Sequence, residues 1–304
     1  MKHSLICPVC SERLSEDDLS LAKHKSVACS QNHLFDFSKQ GYLNLLLSQH
    51  KKSKHPGDTV EMVQARTHFL SSGFYDGISE FLNTVCLENI SKFDHQYNHD
   101  EADFQYCDLA CGEVFYTHNL HQALIAPQTI GAEFKAIRTT GLDISTPAIK
   151  SACKRSLNSS NNDSIQWLVA SLARIPIHDN SQDLATGLFF HFDLEEIARI
   201  LKTNGIFVMV TTGKNHLIEL RNEIYDTLKD ETVKDFSSAQ GKLSHLKKMT
   251  FIDNKTLSDS TEILSLLKMT PHYWRCTLNK KQHLESLSKL AITIDIQFDI
   301  FIKK

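Results

Sequence analysis

Between residues 104 and 228, short apolar runs alternate with amphipathic stretches of helical period. The runs FQYCDLA (104–110), RTTGLDI (138–144), SIQWLVA (164–170), DLATGLFF (183–190) and GIFVMVTT (205–212) are short and rich in β-branched and aromatic residues, as buried strands are. Helices are predicted between them over residues 114–125, 146–157, 194–202 and 216–228, with Asn204 or Gly205 stopping the third. This alternation predicts an α/β fold with a doubly wound sheet. Near the C-terminus the period changes to two. Ile292, Ile294, Ile296, Phe298 and Ile300 fall on one face of ITIDIQFDIFI, and no helix follows. That segment predicts an antiparallel strand, paired with another around KKMTFIDNKTLS (247–258).

Upstream of the sheet the pattern differs. Residues 61–90 have helical period, broken at Ser71–Ser72–Gly73. Phe74, Ile78, Phe81, Leu82 and Val85 line one face, which is expected to pack on the sheet. Residues 92–103 are polar and read as a loop. In LFDFSKQGYLNLLL (34–47), Phe35 and Phe37 alternate with polar residues as in a strand, and Gly41 marks a turn. The resulting division is residues 1–48 as an N-terminal module, 49–103 as a basic linker and helical connection, and 104–304 as the main domain.

Composition is that of a globular protein, with 41% hydrophobic and 23% charged residues. No run of about 18 apolar residues suggests a membrane span, and the polar start suggests no signal peptide. A cytoplasmic location is therefore expected. Net charge is −3, but residues 1–55 carry eight Lys/Arg against five Asp/Glu. A positive module on an acidic body suits a polyanionic partner, although chance unevenness over a short window explains it equally well. Lys51, Lys52, Lys54, His50 and His55 in SQHKKSKHPGD read either as phosphate contacts or as a solvated linker.

The eight cysteines are not expected to form disulfides in a cytoplasmic chain. Cys7 and Cys10 form a C-x2-C knuckle, and Cys29 with His33 a C-x3-H pair. Four such ligands occupy all corners of a tetrahedral Zn²⁺. Residues 1–40 are too few for an adequate core, so the metal is expected to hold the module together. A closed site leaves no position for chemistry.

The turn DLACGEV (108–114) lies where the first strand of an α/β sheet presents its carboxyl end to a ligand. It lacks the three glycines of a dinucleotide fingerprint, keeping only Gly112. The acid ending the second strand is Asp143, 31 residues later. A carboxylate there suits a ribose diol, and S-adenosylmethionine carries that diol without a phosphate. Asp108 is then placed to hold the cofactor's amino-acid end, directly or through water. Ala170, Ser171 and Leu172 border the adenine in such a fold. The plain alternative is that Asp108 and Asp143 are ordinary strand-end polar residues.

The segments CPVC, CSQNHLFDFSKQGYLNLL, QHKKSKHPGD, EMVQARTHFLSSGFYDGI, DLACGEVFYTH, GLDIS, IARILKTNGIFVMVTTGKNHLIEL and LKMTPHYWR together resemble the bacterial 23S rRNA (guanine-N1)-methyltransferases. The resemblance covers nearly the whole chain. It implies a Rossmann-like class I methyltransferase sheet with a small zinc-binding, RNA-recognising module. It implies zinc on Cys7, Cys10, Cys29 and His33, and S-adenosylmethionine contacts from Tyr75, Gly112, Glu113 and His216. The implied partner is a hairpin loop of 23S rRNA, and a homodimer is an assembly it leaves open.

Two departures stand out. The family loop is D-x-G-C-G-E-G, whereas this chain has Ala110 and Val114 at the outer glycines. Valine costs little there at φ near −60°, but it is strained if glycine's freedom is needed. The segment GLFFHFDLEE also lacks the family's proline. His191 and Asp193 follow the fourth strand where the target base enters, and Asp193 is the candidate base for the guanine N1 proton. Phe189, Phe190, Phe192 and Trp274 are candidates to stack the base, with core packing as the plainer role. The rival functions are a methyltransferase acting on a small molecule or protein, and a methyltransferase-fold RNA binder without activity.

Overall fold

The fold is taken from a computed structural model, which describes residues 4–15, 26–51, 53–54, 56–90, 103–126, 134–156, 165–191, 193–228 and 241–304. Phe192, Lys52, His55, the side chain of His50 and the predicted loop through residue 102 lie outside the described residues. The elements in chain order are β1 (Ser26–Ala28), β2 (Leu34–Asp36), β3 (Leu43–Asn44), α1 (Val60–Ser71), α2 (Asp76–Ile90), β4 (Asp103–Leu109), α3 (Phe115–Ile125), β5 (Ala136–Asp143), α4 (Thr146–Ser156), β6 (Ile165–Val169), β7 (Gln182–Leu188), α5 (Leu194–Ile200), β8 (Leu201–Thr212), α6 (Ile218–Ile224), β9 (Leu243–Leu257), α7 (Ser260–Met269), α8 (Leu278–Ser286) and β10 (Leu290–Lys303).

Eight strands form one sheet in the order β3-β6-β5-β4-β7-β8-β10-β9. The pairs from β3 to β8 are parallel, and β10 lies antiparallel between β8 and β9. Strand order reverses between β4 and β7, so the carboxyl ends of β4, β5 and β7 open one crevice. β8 shows why the sheet needs cover on both faces. Ile206, Val208 and Val210 join a core with α1, α2, α3, α6 and α7, while Phe207 and Met209 join another with α5 and the N-terminal module. In β10 the five residues of period two all enter the first core, as the sequence predicts. A third, smaller core lies between α4 and the β5–β6 edge, where the Trp167 ring lies so near Gly141 that a Cβ there would come within 2.3 Å.

Three boundaries differ from expectation. α5 ends at Ile200, and the fully buried Leu201 begins β8 directly. Residues 203–205 are therefore an irregularity inside the strand, not a helix stop. Leu201 pairs with Gln182 and Ile206 with Leu184, and Asn204 takes the intervening bend at φ +64°. The local helix pattern through Lys202 yields because pairing with β7 buries Leu201. β7 stops at Leu188, because Phe189 turns to φ +60°. α6 stops at Ile224, four residues early.

The N-terminal segment also reaches the main sheet. β3 pairs in parallel with β6, and the Leu45 amide donates to the Val169 carbonyl at 2.9 Å. Leu5 bridges Ile177, and Leu5, Leu14 and Val27 share a core with Ile175 and Ile177.

Candidate functional site

Cys29 and His33 lie in the turn between β1 and β2, and Cys7–Cys10 form the facing knuckle. Their ligand atoms all lie within 4.8 Å of one another. Cys7 Sγ is 3.6 Å from His33 Nδ1, Cys10 Sγ 3.6 Å from Cys29 Sγ, and Cys29 Sγ 3.3 Å from His33 Nδ1. Zinc bonds of about 2.3 Å to sulfur and 2.0 Å to nitrogen put neighbouring corners roughly 3.5–3.8 Å apart. The four ligands fit Zn²⁺ at that spacing. The knuckle supports thiolate as well, since the Val9 amide lies 3.4 Å from Cys7 Sγ. No ligand position is left over, so the metal is structural.

The crevice is built around the β4–α3 turn. Ala110, Gly112 and Val114 have φ of +57°, +60° and +96°. The turn thus uses left-handed backbone at all three positions where the family pattern has glycine. Its amides are held from β5: Gly112 N donates to Asp143 Oδ2 at 3.0 Å, and Cys111 N to the Leu142 carbonyl at 3.0 Å. The other Asp143 oxygen accepts from Ser145 N at 2.7 Å. Burial raises the Asp143 pKa, and the amides of Ser145 and Gly112 oppose that shift. Ala170 N donates to the Asp143 main-chain carbonyl at 3.0 Å, so the segment that leads into Ser171 and Leu172 leaves β6 beside the end of β5.

Asp108 is placed differently from expectation. It is 1% exposed, and its carboxylate accepts hydroxyls from Thr117 at 2.5 Å and Thr186 at 2.7 Å. Burial raises its pKa to about 6 against those two bonds. It therefore braces β4 to α3 and β7. Glu113 is equally buried, and its pKa is raised by burial while Arg155 and Arg66 pull it down. Tyr75 Oη lies 3.3 Å from His216 Nε2, so the α1–α2 junction meets the segment after β8. Burial lowers the His216 pKa to about 3, helped by His272 and Arg221. The imidazole is thus neutral, with Nδ1 facing the Asp295 amide at 3.3 Å. Of the expected cofactor residues, Gly112 and Asp143 meet directly, and Tyr75 meets His216, two residues that the family resemblance alone had suggested.

Three comparisons bear on this geometry. A family model for the RlmA N-terminal zinc ribbon matches residues 5–54, and a methyltransferase-domain model matches residues 107–209. The Bacillus subtilis protein YxjB, which bears the name of a 23S rRNA (guanine-N1)-methyltransferase, is 30% identical over 302 residues. That alignment covers 98% of this chain and 96% of YxjB. The chain belongs to the 23S rRNA (guanine-N1)-methyltransferase family. A Streptomyces fradiae relative named 23S rRNA (guanine(748)-N(1))-methyltransferase is 28% identical over 71% of this chain and 66% of its own. The structure of loganic acid methyltransferase with S-adenosylhomocysteine superposes at TM-score 0.52 and 11% identity, over 82% of this chain and 98% of that one. It attests the fold.

The family's cofactor, S-adenosylmethionine, fits what the crevice offers. Thr67 Oγ1 and Tyr116 Oη are buried polar atoms without a hydrogen-bond partner, and Glu113 Oε1 and Arg155 Nη1 have only their mutual ion pair at 3.9 Å. Tyr116 opens α3 directly after the turn, and its pKa is raised by burial, by Tyr75 and by Glu113. A Cβ on Gly112 would stand 3.6 Å from Arg66 Nη1, so the turn's backbone faces that guanidinium. Arg66 pairs with Asp58 at 2.5 Å, and the Asp58 carbonyl accepts the Ser145 hydroxyl at 2.8 Å. The Pro56–Gly57–Asp58 stretch thereby packs on Ser145, where a Cβ at Gly57 would come within 2.8 Å of the Ser145 Cβ. Sequence reasoning missed Arg66, Tyr116 and this packing. Helical period alone says nothing about which polar residue of α1 faces a ligand.

The region after β7 departs most from expectation. Asp193 caps α5, with Oδ1 accepting from Glu195 N at 3.1 Å and Glu196 N at 3.2 Å. Phe189 is 42% exposed, 6.4 Å between centroids from Tyr116 and T-shaped to it. Phe190 packs partly on the second core. Trp274 is 66% exposed, so core packing does not account for it.

Proposed function

We propose that this protein methylates N1 of a guanine in a hairpin loop of 23S rRNA. The observation that carries the reading is the end-to-end match to YxjB, which spans both the zinc cluster and the crevice. S-adenosylmethionine, when bound, supplies a methyl group on a sulfonium. Asp143 would accept from its ribose hydroxyls, and the Gly112 amide sits against that carboxylate. Tyr75 and His216 close the far side of the crevice. His216, kept neutral by burial, would add no positive charge to a site that holds a cationic donor. Glu113 and Arg66 bring opposite charges to the zwitterionic amino-acid end. Phe189, exposed beside Tyr116, receives the splayed target base by stacking.

As the N1–methyl bond forms, the methyl–sulfur bond breaks to leave a neutral thioether, and the guanine N1 proton must go to a base. Asp193 is the carboxylate assigned to accept it, through Oδ2, while Oδ1 caps α5. The zinc module and the Lys51 and Lys54 stretch grip the phosphate backbone, so affinity falls as salt rises. The division at residues 48 and 103, a cytoplasmic setting and a homodimer complete the reading.

Mapping N1-methylguanine on 23S rRNA from cells with and without the gene tests the proposal. The modification blocks the pairing edge, so reverse transcription halts at it. Loss of one halt with the gene and its return on complementation are expected; an unchanged map overturns the reading. Val114 at φ +96° favours a second reading, an RNA-binding relative without activity. Calorimetric titration with S-adenosylmethionine separates the two, since that reading requires no binding.

A further inference from the structure

A pocket of about 620 Å³ lies between α1, α7 and the 3-10 turn Pro271–Arg275, and neither Tyr116 nor Phe189 lines it. Its volume falls in the usual range of small-ligand sites. Glu61, Met62 and Ala65 from α1 line one wall, and Lys268, Tyr273 and Trp274 the other. The Trp274 ring is T-shaped to Tyr273 at 5.3 Å, and the Lys281 ammonium sits 3.8 Å over the Tyr273 ring. Tyr273 is therefore held, while Trp274 stays 66% exposed. A tryptophan exposed beside a braced tyrosine and the ammonium groups of Lys268 and Lys281 leaves a large apolar face in water, and the arrangement matches the stacking platforms on which single-stranded nucleotides lie.

The pocket also adjoins the reaction site. Ala65 in its wall precedes Arg66, which faces the Gly112 turn. His272, in the same 3-10 turn as Trp274, lies close enough to His216 to help lower its pKa. A nucleotide in the pocket would thus be a close neighbour of one in the crevice. We propose that this pocket is a second nucleobase subsite, which stacks an unpaired nucleotide flanking the target guanine on Trp274. Met62 and Ala65 give the base an apolar floor, Lys268 meets its phosphate, and the Glu61 carboxylate accepts from an exocyclic amino group. The inference rests on the RNA-methylating reading above.

The test uses full-length, zinc-loaded protein and a synthetic hairpin RNA copying the 23S rRNA loop mapped in cells. Trp167 is 4% exposed and Trp274 66%, so quenching of tryptophan fluorescence on RNA addition reports Trp274. Trp274→Ala is expected to weaken hairpin affinity about 5- to 150-fold, the range of one base–aromatic stack. With saturating RNA its kcat stays within about twofold of wild type, because the lost contact is uniform binding. Trp274→Phe restores affinity. No quenching, unchanged affinity in Trp274→Ala, or a fall in kcat at unchanged KM overturns the subsite; the last result would move Trp274 to the target base. Wild-type protein that binds no hairpin overturns the substrate reading and this subsite together.

Discussion

Val114 is the position where backbone and side chain disagree most. It caps α3 at φ +96° and ψ −14°, yet it is β-branched and only 3% exposed. Its side chain packs in the α4 core with Cys111, Ile149, Trp167 and Val169. Two substitutions separate the burial from the strain. Val114→Ala removes two buried carbons, worth about 1.6 kcal/mol at roughly 0.8 kcal/mol each, and alanine still carries the left-handed penalty. Val114→Gly removes one more carbon, another ~0.8 kcal/mol, and adds about 0.5–1 kcal/mol of backbone entropy. At an ordinary helix entry, glycine would therefore fall below alanine by about 1.3–1.8 kcal/mol. At this φ, glycine escapes about 1–2 kcal/mol of left-handed strain. The two variants should consequently be equally stable to within about 0.8 kcal/mol. Urea denaturation of zinc-loaded protein, read as midpoints at constant m, measures the difference. A glycine variant more than about 1.3 kcal/mol below the alanine variant would show that Val114 sits at ordinary φ, and the strain argument would fall.

Asp143→Ala should weaken S-adenosylmethionine binding about 10- to 150-fold, since hydrogen bonds to a charged group are worth about 1.5–3 kcal/mol; calorimetry reads it, and an unchanged Kd removes Asp143 from the cofactor. Cys29→Ser, or a chelator, should abolish hairpin binding while S-adenosylmethionine binding persists, measured side by side on the same preparation. Asp193→Asn keeps a good helix cap but loses the carboxylate, so methyl transfer should collapse at wild-type stability; Asp193→Ala should additionally cost about 1 kcal/mol of stability. Full activity in Asp193→Asn would exclude it as base. His216 has a folded pKa near 3 against an ordinary value of 6.5, so its contribution to stability is complete above pH 6.5 and is lost as pH falls through that window toward 3. His216→Gln should flatten the acid limb of a stability–pH curve, and an unchanged limb would place the buried proton loss elsewhere.

These tests concentrate where sequence and structure part company, and the reasons are physical. The period of two in β10 and the ends of β4 and β5 were legible because burial on a sheet face leaves a local record in the chain. The zinc ligands were legible because a tetrahedral site needs two closely spaced pairs, and 3.3–3.6 Å separations among the four follow from that chemistry. The end of α5 was not, because the pattern LEEIARILK is helical on its own and only pairing with β7 decides that Leu201 becomes strand. Nor were Asp108's role and Arg66's position. Asp108 reads as a ligand from its place at a strand end, but Thr117 and Thr186, nine and 78 residues away, claim both its oxygens. Arg66 reads as one polar residue on an amphipathic helix, and its ion pair with Asp58 beside Gly112 is a tertiary contact that the helical period does not record. Val114 is the instructive middle case: the sequence framed two outcomes for it, and the turn chose the one in which a valine occupies glycine's backbone. A turn that keeps left-handed φ at 110, 112 and 114 despite two side chains is held from outside, by the Asp143 carboxylate and the Leu142 carbonyl across the strand pair. The shape of the cofactor turn therefore belongs to the β4–β5 pair as much as to its own glycine.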